Sequence, residues 1–206
     1  SPTAMVADPK DPAHLAIAVR DASAAAPWVY FSANTGATWT QATLPLAYAG
    51  HTYGEGSQPA LSVDADGTWF AAYIVNDPVT GNPTDSTVAV ARSFNGLLWD
   101  PAGSPVVQCC TGLSDPLLLE PAIAVDALGC GSSYPGRLFV AWVRRTGTDS
   151  AIFVAASSDG GTTWGSPIKI NDGATGTERL IRPRLAVGPG GALYIAWLDA
   201  VRKQLF

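Results

Sequence analysis

Apolar residues run along this chain in short bursts broken by Gly, Pro, Asn and Asp, and no segment keeps the i, i+3, i+4, i+7 spacing of a helix for three turns. The pattern predicts strands. Three segments superimpose almost residue for residue: QPALSVDADGTWFAAYIV from Gln58, EPAIAVDALG followed by GRLFVAWVR from Glu120, and RPRLAVGPGGALYIAWLD from Arg182. Their prolines, Pro59, Pro121 and Pro183, stand 62 residues apart. Each segment reads as a strand, a Gly- and Asp-rich turn, and a second strand of Val, Ile, Ala and aromatic residues, which together predict a hairpin. A looser fourth copy opens the chain, with Pro2, Val6 and Ala7 leading into Leu15 to Val19.

A third apolar run follows each hairpin (Trp28 to Phe31, Val88 to Ala91, Ile152 to Ala155), and then a turn closed by tryptophan. The turns are SANTGATW from Ser32, SFNGLLW from Ser93 and SSDGGTTW from Ser157. A short fourth strand completes a unit of about sixty residues, and four strands per unit is the signature of a β-propeller blade. The expected class is therefore all-β, a β-propeller of four-stranded antiparallel blades. The blades fall at about residues 1–50, 57–108, 119–172 and 181–206, the last incomplete, with residues 130–136 inserted in the first hairpin turn of the third. About three and a half blades are present, whereas closed rings use roughly four to eight. The reading therefore expects a single partial propeller domain, a piece of a six- or seven-bladed ring completed by the rest of a longer protein or by another chain.

The turn motif resembles the Asp-box, or BNR repeat, of the sialidase-like propellers. Ser157, Asp159, Gly161, Thr163 and Trp164 match its SxDxGxTW pattern in full. Asn34, Gly36 and Trp39 match it with Asn for Asp, and Asn95 and Trp99 keep a version one residue shorter. The resemblance covers essentially the whole chain. It implies a sialidase-like fold in a secreted or surface protein and says little about activity, because such folds host unrelated functions.

Composition narrows the functions further. The chain has 206 residues, 47% hydrophobic and 14% charged, with a net charge of −5, and no Lys/Arg run that would neutralise successive phosphates; nucleic acid is not an expected partner. The apolar runs are far shorter than the roughly 20 residues of a membrane helix. The opening SPTAMVADPKDP has no basic start or apolar core of a signal peptide, as a mature secreted chain would also lack. The expected localisation is extracellular, cell-surface or periplasmic. Cys109, Cys110 and Cys130 fit either one disulfide with a spare thiol or three reduced thiols. His14 and His51 lie far from them and no CxxC is present, so no zinc site is expected. No cofactor is expected either; the DADG at 64–67 resembles the start of a calcium loop but lacks its later acidic ligands, which leaves a structural calcium unsupported.

For the Asp-box carboxylate Asp159, two of three copies carry Asn, which accepts the same amide bonds but is a poor acid or metal ligand, so a turn-organising role is expected. The pattern places the first hairpin turns and the tryptophan turns on one face, and the blade-to-blade connections on the other, top face, where function is expected to concentrate. Candidate ligand-facing residues there are Gln58, Glu120 and Arg182, at equivalent positions just before the repeated prolines, with His51, Tyr53 and Glu55 from GHTYGEGSQP and Arg179 from GTERLIRP. Asp77, Asp85, Asp115, Arg144, Arg145, Asp149 and Glu178 lie on the same set of loops. Arg182 suits bidentate capture of a carboxylate, although an ion pair between neighbouring blades or plain solvation is the favoured reading of the pre-proline residues.

The resemblance to sialidases implies three arginines on a substrate carboxylate, an Asp acid/base and a Tyr nucleophile activated by Glu, with an FRIP-like motif near the first arginine. No such motif is present, and IRP at 181–183 belongs to the strand repeat. The expected function is thus a binding or interaction scaffold for a glycan or protein, without visible catalytic residues. The alternative is an exo-sialidase-type glycoside hydrolase with catalytic residues elsewhere.

Overall fold

A computed structural model describes residues 4–76, 86–108, 117–127, 134–172 and 179–206. Eighteen strands form there: β1 (Ala4–Ala7), β2 (Leu15–Val19), β3 (Trp28–Ser32), β4 (Thr40–Thr43), β5 (Ala47–Tyr48), β6 (His51–Thr52), β7 (Glu55–Val63), β8 (Trp69–Asn76), β9 (Ser86–Ser93), β10 (Asp100–Pro101), β11 (Val107–Gln108), β12 (Leu117–Val125), β13 (Leu138–Thr146), β14 (Asp149–Ser157), β15 (Ile168–Lys169), β16 (Leu180–Val187), β17 (Leu193–Asp199) and β18 (Gln204–Leu205). They pair antiparallel into sheets β1-β2-β3-β4, β7-β8-β9-β10, β12-β13-β14-β15 and β16-β17-β18, four blades of a propeller in chain order. In the second blade the outer edge of β9 is shared by β10 and β11, with a detour between them. The fourth blade goes beyond its hairpin: the two-residue β18 supplies a short third strand, Leu205 opposite Leu198.

The two middle blades hold together because their second strands, β8 and β13, are buried on both faces, and the alternating residues of β8 feed two different cores. Trp69, Ala71, Tyr73 and Val75 of β8 pack with Ala16, Ala18, Val29 and Phe31 of the first blade. Phe70, Ala72 and Ile74 pack the other way, with Ile123, Val125, Leu138, Val140 and Trp142 of the third. A strand sandwiched in this manner reads as a continuous apolar run rather than an alternating one. The innermost strands β1, β7, β12 and β16 lie side by side in chain order around the axis.

Of the three tryptophan turns, the second and third sit at blade interfaces. In all three, the opening serine hydroxyl bonds the Asn or Asp two residues on: Ser32 to Asn34 at 3.0 Å, Ser93 to Asn95 at 3.2 Å, Ser157 to Asp159 at 2.7 Å. In two of them the same hydroxyl accepts the glycine N–H, from Gly36 and from Gly161, each at 2.9 Å. Asp159 also accepts the Thr163 N–H (2.9 Å) and hydroxyl (2.6 Å), and these bonds lower its pKa to about 2. Trp99 is buried in the core between the first and second blades, and Trp164 packs against the core between the second and third. Trp39, in the first blade, stays 38% exposed, with its indole N–H donated to the Gly36 carbonyl.

Candidate functional site

Registry fixes which loops share a face. Leu15 opposes Ser32, Trp69 opposes Ser93 and Leu138 opposes Ser157, so the first hairpin turn and the tryptophan turn of each blade project from the same end. The N–H of Thr35 in one tryptophan turn donates to the Ala13 carbonyl in the hairpin turn of the same blade (2.9 Å). At the opposite end stand the starts of the innermost strands, and three sequence positions 62 residues apart converge on the same backbone geometry there.

Gln58, Glu120 and Arg182 have φ of 54°, 51° and 55°, a left-handed conformation unusual for residues with a side chain. Each is followed by proline, which cannot donate to a ladder, and in each innermost strand the pairing register slips across this dipeptide: between Ser57 and Ala60, Leu119 and Ala122, and Ile181 and Arg184. The result is a β-bulge repeated three times. A left-handed residue costs on the order of 1 kcal/mol, and its N–H falls outside the regular pairing of its own blade. The neighbouring blade supplies an acceptor. Gln58 Oε1 accepts the N–H of Glu120, and Glu120 Oε2 accepts the N–H of Arg182.

A second ladder runs two residues earlier. The Gly56 N–H donates to the Ala25 carbonyl of the first blade (2.8 Å), the Leu118 N–H to Ser86 Oγ of the second (3.1 Å), and the Leu180 N–H to Ser150 Oγ of the third (2.6 Å). Gly56 is required where it stands, because a Cβ there would lie 2.6 Å from Pro27 Cδ.

These bonds revise the reading of the pre-proline residues. Glu120 and Arg182 are joined across blades, but by carboxylate to backbone amide rather than as an ion pair. Gln58 and Glu120, both partly exposed, each have a side-chain oxygen committed to the next blade. Arg182 has no acceptor to offer onward; it is exposed, and its guanidinium has no hydrogen-bond or ion-pair partner among the described residues.

The other candidates divide. Tyr53 is buried in the wall between the first two blades, its hydroxyl 3.3 Å from Thr87 Oγ1, so it does not face a ligand. Its ring supports His51, edge to face at 4.6 Å, which leaves His51 half-buried at the rim. Glu55 is exposed but tied down, with Arg20 Nη2 at 3.1 Å and Asn76 Nδ2 at 3.3 Å. Arg179 is exposed, and its carbonyl accepts the Ala200 N–H (2.9 Å). Arg144 lies over the Phe153 ring at 5.7 Å. Asp77, Asp85, Asp115, Glu178 and the three cysteines lie outside the described residues. Among the described residues, no three His, Cys, Asp or Glu side chains gather into a cluster able to hold a metal ion, and no helix is long and apolar enough to cross a membrane.

Sequence reasoning missed the support beneath this rim. The hydroxyls of Tyr48 and Tyr73 are hydrogen-bonded in the core, and Tyr73 donates to the Pro45 carbonyl (2.6 Å). Burial pushes both phenols well above their ordinary pKa, which keeps them neutral donors. This pins the β5-β6 hairpin that carries His51. The available signal was Tyr73 inside an unbroken apolar run.

The chain matches no known family and no curated protein sequence. Solved structures do resemble it. An alpha-L-arabinanase of Penicillium chrysogenum complexed with arabinobiose superimposes with a TM-score of 0.69 at 16% identity, over 95% of this chain and 56% of that one. A GH93 alpha-L-arabinofuranosidase of Fusarium graminearum with arabinobiose gives 0.68 at 12%, over 96% and 55%. A Hadza microbial sialidase gives 0.61 at 18%, over 97% and 42%. The chain therefore spans about half the length of these propeller glycosidases, and at such identities the likeness establishes the fold: this is an arc of four β-propeller blades of the kind they share.

Proposed function

We propose that this protein is a glycan-recognising β-propeller that binds an acidic sugar at the mouth formed by the starts of β7, β12 and β16. The observation that carries the reading is Arg182, exposed at the start of an innermost strand with a guanidinium that no described residue engages. A guanidinium in that setting grips a carboxylate through two parallel hydrogen bonds. The BNR-repeat, sialidase-like character of the turns, an extracellular or periplasmic setting and completion of the ring by further blades, from the same or another chain, belong to the same proposal. The exposed Tyr194 and Leu205 of the fourth blade, 61% and 77% accessible, support such completion.

Calorimetric titration with sialyllactose, galacturonate oligomers and arabinobiose tests it. The expected result is binding of one of the two acidic probes, weakened at least about tenfold by Arg182→Ala. Equal affinity of wild type and Arg182→Ala, or binding of arabinobiose alone, overturns it. A hydrolase reading is favoured by the glycosidases among the similar structures. It requires turnover: release of arabinose or sialic acid from the same probes by the wild type decides between recognition and hydrolysis.

A further inference from the structure

We infer that Glu120 is a positioning residue, whose side-chain oxygen fixes the backbone of Arg182 and so sets where the guanidinium projects, and that its negative charge is dispensable for this task. The inference rests on the reading of the mouth as a ligand site.

Three observations lead to it. First, Glu120 Oε2 is already committed to the Arg182 N–H, a donor that the bulge before Pro183 removes from the pairing of its own blade. Secondly, Gln58 makes the equivalent bond to the N–H of Glu120, so an uncharged amide does the same work one blade earlier. The shared requirement is an acceptor oxygen on a side chain of that length, not a carboxylate. Thirdly, the acceptor chain Gln58 to Glu120 to Arg182 ends at a residue that can only donate. The φ of 55° at Arg182 directs its Cβ away from the course of a regular strand. Losing the bond that holds this conformation lets the backbone relax towards the extended region favoured before proline and re-aims the side chain. A general acid or base needs its carboxyl free to exchange a proton with substrate, and here one oxygen is engaged by an amide.

The experiment compares Glu120→Gln, Glu120→Ala and wild type by two readouts: hydrogen exchange of the Arg182 amide, and affinity for the acidic probe, sialyllactose or galacturonate oligomer. Glu120→Gln is expected to keep amide protection and an affinity within about twofold of wild type, and Glu120→Ala to lose protection and about tenfold in affinity. An affinity loss of tenfold in Glu120→Gln with the Arg182 amide still protected overturns the inference, because the charge would then act on the ligand directly. If the wild type binds no acidic probe, the reading of the mouth fails, yet exchange still decides on Glu120: protection kept by Gln and lost by Ala upholds the clamp, and equal protection in both refutes it. Should Glu120→Ala not fold, Glu120→Met, of similar length but without oxygen, takes its place.

Discussion

At the scale of the residue, the most informative side chains are those whose chemistry suggests a site and whose partners show other work. Asp159 is exposed, and the Thr163 hydroxyl and N–H, with Ser157, hold its pKa down to about 2, whereas an unfolded aspartate titrates near 3.9. A depressed folded pKa contributes stability that is present above the unfolded value and lost as pH falls through the folded one. Thermal melts should therefore show a loss attributable to Asp159 between about pH 4 and pH 2. Asp159→Asn is expected to remove that part of the pH dependence while keeping the turn, as Asn34 does with Thr38, accepting its N–H at 2.9 Å and donating to its hydroxyl at 2.8 Å. Asp159→Ala should lower the melting temperature at neutral pH; an unchanged melt would mean the turn holds itself without this carboxylate.

The elements hold together through close approaches at their ends, and here single substitutions discriminate. Gly96 has φ 75°, and a Cβ there would lie 2.1 Å from Cδ2 of the buried Phe31 in the preceding blade. Gly147, in the turn between β13 and β14, has φ 60° with nothing within 4 Å. Gly147→Ala is expected to cost roughly 1 kcal/mol, the backbone term alone, and Gly96→Ala roughly 2–4 kcal/mol, because overpacking is added. Urea denaturation midpoints of the two variants check the difference. Ser150→Ala leaves the N–H of buried Leu180 without its side-chain acceptor, at a cost of about 1–3 kcal/mol by the same measurement. Ser86→Ala should behave alike through Leu118.

For the molecule as a whole, stability should be graded along the arc. Seven consecutive residues of β8 and six of β13 are buried on both faces, whereas β17 is mostly half-exposed. Native-state hydrogen exchange is expected to be slowest in β8 and β13 and fastest, among second strands, in β17. Uniform protection across the four blades would mean they unfold as one unit, without such a gradient.

Much of this architecture was legible in the chain because it is local. The apolar second strands and the tryptophan-closed turns each follow from residues within a few positions of one another, whose backbone preferences and periodicity name strand and turn directly, and their recurrence with the 62-residue proline spacing groups them into blades. Tyr53 was misjudged for the opposite reason. In GHTYGEGSQP it reads as a loop residue, and only the docking of the second blade against the first buries it beside Thr87. The pre-proline residues were correctly singled out as equivalent, but what they do depends on atoms one blade away. Sequence by itself thus determined the strands, their grouping into blades and the faces on which the loops emerge, since these follow from side-chain periodicity and turn chemistry. Tertiary structure alone decided that Gln58 and Glu120 are spent on the amides of the next blade while the Arg182 guanidinium meets no partner among the described residues. That outcome depends on bringing residues 62 positions apart within hydrogen-bonding distance, and no local preference encodes it.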